Sequence, residues 1–200
     1  MKKILYVTIV IGCLTGCSAI LSKMYGISTL KKFDKEKCEQ FVSTIDKKNI
    51  KFFSYYADTN SYNCVRKIPI SNGVKKDFSQ PIQIIYFNND SLVSFHANCY
   101  AKGSASNLNW NIDNRFNQFI PKTAIDIDSA KFSIKDFSKC YPNQLIVKEK
   151  KVTVIIYWTL MLEKISKTAI ETVINNIQNN KVENDVVVYL INNDQSFIEK

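Results

Sequence analysis

The stretch from Val152 to Ile191 constrains the fold more than any other part of the chain. Val152-Thr153-Val154-Ile155-Ile156-Tyr157-Trp158 is an unbroken β-branched and aromatic run. That pattern fits a strand covered on both faces, not one with a solvated side. Behind it Leu162, Ile165, Ala169, Ile170, Val173, Ile174 and Ile177 recur at helical spacing, which predicts a long helix with one apolar stripe. Val186 to Ile191 is a second buried run. Strand, helix, strand predicts a βαβ unit with parallel strands and a right-handed crossover. The expected class is therefore α/β with a mixed sheet, residues 34–200 forming a single domain.

The remaining elements are expected around that unit. A helix is predicted over Lys35–Lys48, with Asp34 as its N-cap and Cys38, Phe41, Val42 and Ile45 on its apolar side. Ile50–Ala57 reads as a strand, Asp58–Asn63 as a turn, and Val65–Ile70 as a short edge strand because of Pro69. Ser71-Asn72-Gly73 is a turn signal. Pro81–Phe87 and Ser91–Ala101 predict a β-hairpin closed by Asn88-Asn89-Asp90. Lys102–Asn107 reads as a loop, Asn111–Ile120 as a short helix stopped by Pro121, and Lys131–Phe137 as a strand.

The N-terminus carries an address. Lys2 and Lys3 precede a short apolar run, Ile4–Ile11, well below the ~20 residues needed to span a bilayer. A charged start, a short apolar core and small residues before a cut describe a signal peptide. Leu14-Thr15-Gly16-Cys17 resembles the lipobox of bacterial lipoproteins: an apolar residue, two small ones, then cysteine. The resemblance implies diacylglyceryl transfer to the Cys17 sulfur, cleavage after Gly16, and acylation of the new amine, commonly by palmitate. Residues 1–16 are then the signal peptide, and 17–33 the lipidated cysteine and a tether. The competing readings are an ordinary secretory signal, or a cut before Cys13 at Val10-Ile11-Gly12-Cys13. In a Gram-negative host, Ser18 after the cysteine favours the outer membrane, with the domain in the periplasm.

Charge and cysteine content narrow the partners. The chain has 27 basic and 18 acidic residues for a net charge of +9, which falls to +7 once Lys2 and Lys3 leave with the signal. Arg66 and Arg115 are the only arginines. Scattered lysines without arginine forks argue against a nucleic-acid partner. Lys23, Lys31, Lys32, Lys35 and Lys37 lie near the expected anchor and suit an anionic lipid surface. Besides Cys17, the mature body has Cys38, Cys64, Cys99 and Cys140. An even number outside the cytoplasm predicts two disulfides, with three pairings open. None of the four stands in a Cys-x-x-Cys pair.

The C-terminal βαβ unit also resembles the opening of a thioredoxin-like domain, in which a buried strand ends in an aromatic–Trp pair at a helix start. Tyr157-Trp158 would occupy that position, and Leu162 and Ile165 would stand where the family has its two cysteines. Neither residue can supply a thiolate. The family continues with a cis-proline and a hairpin; here the hairpin comes upstream, behind Gln80-Pro81-Ile82. It could complete the sheet in permuted order. A trans Pro81, or a hairpin remote from Trp158, would end that reading.

Catalytic motifs are scarce. His96 is the only histidine and sits in an expected strand, which argues against a histidine zinc site and for a structural role. There is no Gly-x-Ser-x-Gly elbow and no phosphate-cradling loop. Asp126, Asp128 and Asp136 are candidates for a cation or an acid–base pair, with a solvated strand edge as the plainer reading. Phe52, Phe53, Tyr55 and Tyr56 could line a groove, or be core. The expectation is a membrane-anchored envelope lipoprotein with no catalytic residue, metal or cofactor. Its partner would be an unknown envelope protein or a small ligand. The alternative is an extracytoplasmic thiol–disulfide redox protein in which two of Cys38, Cys64, Cys99 and Cys140 cycle.

Overall fold

The computed structural model describes residues 27–68, 77–104, 107–127, 132–142 and 150–198. Cys17 and the signal segment lie outside these, as do the Ser71-Asn72-Gly73 turn and Asp128.

A five-stranded sheet organises the chain. In chain order its strands are β1 (Lys51–Tyr56), β2 (Gln83–Asn88), β3 (Ser91–Ala97), β6 (Val152–Trp158) and β7 (Val186–Asn192). Between β3 and β6, β4 (Lys102–Ser104) and β5 (Asn107–Asn109) make a small separate hairpin where a loop is expected. Across the large sheet the order is β1-β7-β6-β2-β3. β1, β7 and β6 are parallel, and β2 and β3 antiparallel. All seven residues of both β6 and β7 are buried, as two-sided cover demands.

One face of the sheet holds two helices, α1 (Lys35–Ser43) and α4 (Glu163–Asn179). Asp34 caps α1, its carboxylate accepting from the Lys37 N–H at 3.1 Å. The helix ends at Ser43, short of the expected Lys48; Lys48 and Asn49 both take positive φ, which a helix excludes. The α4 stripe Ile165, Ala169, Ile170, Val173, Ile174 and Ile177 packs on Val154, Ile156, Val188 and Leu190. Each fully buried side chain of this size stabilises the fold by about 1.5–3 kcal/mol.

The other face holds α2 (Thr59–Arg66) and α3 (Ile134–Lys139). Neither is the expected element. The stretch read as a turn, with the start of the Val65–Ile70 strand, is helical because Asp58 caps it, accepting from Ser61 N at 2.6 Å. Tyr62 and Val65 then fall on one buried side. The Lys131–Phe137 strand is largely replaced by α3, which Ser133 and Asp136 start with a reciprocal capping box. Asn111–Ile120 contains a 3-10 segment, Ile112–Asn117, broken by positive φ at Asp113 and Asn114.

The hairpin lies beside β6, β2 pairing with β6 from Gln83↔Tyr157 to Asn88↔Val152. Gln80–Pro81, however, is a trans bond, which ends the reading of the hairpin as a permuted thioredoxin-like element.

Candidate functional site

β6 and β7 end side by side, Trp158 opposite Asn192, and each strand is followed at once by polar residues. Thr159 follows β6; Asn193 and Asp194 follow β7. The buried Asp194 carboxylate joins the elements that meet there. Its Oδ1 accepts from the Thr159 hydroxyl at 2.5 Å and from Leu160 N–H at 2.9 Å. Its Oδ2 faces Cys38 Sγ, the donor from α1, at 3.6 Å. Ser166 of α4 closes the network, donating to Thr159 O at 2.9 Å and accepting from Thr159 N at 3.1 Å. A buried carboxylate is costly unless several donors satisfy it, and here two come from the β6–α4 connection and one from α1.

Above this network opens a cleft of about 710 Å³ between the start of α1, the start of α4 and residues 28–32. In open α/β sheets the carboxyl ends of parallel strands are where ligand crevices form. Lys31, Lys32, Lys37 and Lys167 line it, with Glu163, and Asp194 lies in its wall. Ser28 closes one side: its N–H donates to Met161 O and its hydroxyl to Leu160 O, both at 2.9 Å. Phe33 packs edge-on against Tyr56. Part of the expected tether thus lies against the domain.

The cysteines divide by face. Cys64 of α2 and Cys140, the C-cap of α3, form a disulfide with Cα atoms 5.5 Å apart. The expected second bridge does not form. Cys38 belongs to the core on the opposite side of the sheet, and Cys99 is exposed in a one-turn helix after β3. Burial, and then the Asp194 charge, push the Cys38 thiol up to about 12. It stays protonated and acts as a donor, not a nucleophile.

His96 is also committed. Its Nε2 lies 3.0 Å from Ser94 Oγ, and its ring packs on Phe116 with centroids 4.6 Å apart. A serine beside a histidine is half of a nucleophile–base pair. Ser94 is fully buried, and burial, with Arg115 adding to it, lowers the His96 pKa to about 3. Such a histidine is neutral and a poor base.

Among the acidic candidates, Asp136 is used in the α3 cap and pairs with Lys139 at 2.8 Å; its hydrogen bond from Lys139, with those from Ser133, holds its pKa down to about 2. Asp126 is exposed. Among the described residues, no group of three or more His, Cys, Asp or Glu gathers in a way that could hold a metal ion. Strand alternation splits the aromatic cluster between faces. Phe52 and Tyr56 pack on one core, while Phe53 and Tyr55 pack on the other, stacked on Tyr189.

Sequence reasoning passed over Thr159 and Asp194. The available signal was an acid two residues beyond a fully buried strand, close to the carboxyl end of its parallel neighbour. No protein-family model, curated protein or solved structure matches the chain.

Proposed function

We propose that the chain is a lipid-anchored envelope protein whose α/β domain binds or scaffolds a partner without transforming it. The carrying observation is how the reactive groups are used. Cys38 is a buried donor to Asp194, His96 is buried and held neutral, and Cys64–Cys140 ties two short helices to one face. Each is committed to structure. The cleft over Thr159 and Asp194 is then the candidate binding surface, and the lipobox at Cys17 supplies the anchor.

A second reading is favoured by one feature. Cys64 is exposed while Cys140 is buried, so a reductant can approach the bridge from one side, as in a thiol–disulfide exchange protein. Leu162 and Ile165 at the helix start, together with the trans Pro81, count against it.

Intact mass of the protein taken from its own membrane, before and after alkylation, separates these readings. The proposal expects acyl mass on Cys17, and Cys64 and Cys140 alkylated only after denaturing reduction. Unacylated protein would remove the anchor. Native-state reduction of the bridge by mild thiol would favour the redox reading.

A further inference from the structure

The fold assembles a charged surface that the linear order of the chain hides. Lys31 and Lys32 come from the segment before α1, Lys37 from its first turn, and Lys167 from the first turns of α4. All four are exposed and line one cleft. Two of the acids nearby are occupied. Asp34 is bound to the α1 backbone, and Asp194 is buried beneath Thr159, Leu160 and Cys38. Glu163 is the exposed acid in the lining.

The same cleft is where the N-terminal segment meets the domain. Ser28 is held to the β6–α4 connection by two hydrogen bonds. Ten residues lie between it and Cys17, and the eleven steps of chain reach at most about 40 Å when fully extended. An acylated Cys17 therefore keeps this end of the sheet within that distance of the bilayer. The opposite end, where Lys151 precedes β6 and Lys181 follows α4, is separated from the cleft by the length of α4, about 25 Å.

From these two observations we propose that the lysine-lined rim of the cleft rests on an anionic lipid surface, orienting the domain with the carboxyl ends of β6 and β7 toward the membrane. This rests on the lipoprotein reading. Lysine attraction to anionic headgroups acts within about a Debye length, some 8–10 Å in physiological salt, so the tether must bring the face close before charge can orient it.

The test reconstitutes the full lipoprotein into vesicles of phosphatidylcholine alone and of phosphatidylcholine mixed with phosphatidylglycerol. Amine acetylation of each lysine is read by peptide mass spectrometry, and Cys17 acylation by intact mass on the same sample. Lys31, Lys32, Lys37 and Lys167 should label several-fold more slowly in the anionic vesicles, with Lys151 and Lys181 unchanged. High salt, or the double variant Lys32→Glu/Lys167→Glu, should abolish the difference for the remaining lysines. Acylated protein labelled identically in both vesicles would overturn the lipid face and leave the anchor standing. Unacylated protein would overturn the anchor on which the proposal rests. Protection by inorganic phosphate in detergent, with none from anionic vesicles, would overturn it in favour of a small-anion site.

Discussion

The two faces of the sheet are held by different means. On one, α4 runs for 17 residues and buries a stripe of isoleucine, valine and alanine against aliphatic strand residues. On the other, α2 has eight residues and α3 six, and the packing is aromatic. Phe137 stacks on Tyr141 at 5.2 Å, Tyr62 meets Tyr157 edge-on at 5.7 Å, and Phe78 contacts both Phe95 and Phe132. The buried Tyr141 and Tyr157 hydroxyls hydrogen-bond to each other. Helices this short are not stable alone, because nucleation costs more than so few backbone bonds return. The aromatic face therefore depends on large side chains and on a covalent staple, while the other is covered mainly by the long α4, with α1 beside it stacking Phe41 on Trp158.

The comparison can be broken most forcefully at Phe137, which is fully buried among Phe87, Phe132, Tyr141 and Tyr157. Phe137→Ala should cost about 3–5 kcal/mol, read from the urea midpoint. A cost below about 1 kcal/mol would show that the aromatic cluster is not what holds α3 down.

Removing the staple comes next. The bridge spans 76 residues of sequence, and Cys64→Ser/Cys140→Ser should lower stability by about 2–4 kcal/mol. If the double variant is as stable as the parent, the two short helices hold themselves and the contrast between faces fails.

Acid should act on the aliphatic face, where His96 packs beneath Phe116. Its folded pKa of about 3 lies below its unfolded value near 6.5, so the unfolded chain binds more protons between those values. The stability His96 contributes is therefore complete above about pH 6.5 and is lost as pH falls toward 3, at up to about 1.4 kcal/mol per pH unit. His96→Gln should flatten the stability–pH profile between about pH 6.5 and 5, above the carboxylate range. An unchanged slope would mean that His96 is not the group responsible.

The smallest effects should be at the caps. Ser133→Ala and Asp34→Ala each remove one N-cap and should each cost about 1 kcal/mol. The first should increase amide exchange in α3 and the second in α1; a cost shared equally by both faces would argue that the helices are coupled through the sheet.

This difference also explains what could be read from the sequence. α4 and its flanking strands were legible because burial on a long helix repeats six apolar positions, and strands buried on both faces are continuous apolar runs. The hairpin was legible through its Asn-Asn-Asp turn, with Asn89 at positive φ. α2 and α3 were not, because eight and six residues give barely two turns of periodicity. Their formation rests on the Asp58 and Ser133 caps and on a bridge whose partner is distant in sequence. The candidate site was only half visible. Lys31, Lys32 and Lys37 are neighbours in sequence, but Lys167, Thr159 and Asp194 join them only through the parallel pairing of β6 and β7.

The central claim is that Cys64–Cys140 staples one face and does not cycle as a redox centre. Native-state hydrogen exchange of the parent and of the Cys64→Ser/Cys140→Ser variant, which lacks the bridge, tests it most directly. The account predicts that amides of α2 and α3 lose protection in the variant while those of Ile170–Ile177 in α4 keep theirs. Protection that is the same throughout in both proteins would contradict it, since a fold indifferent to its bridge is what a working thiol–disulfide couple requires.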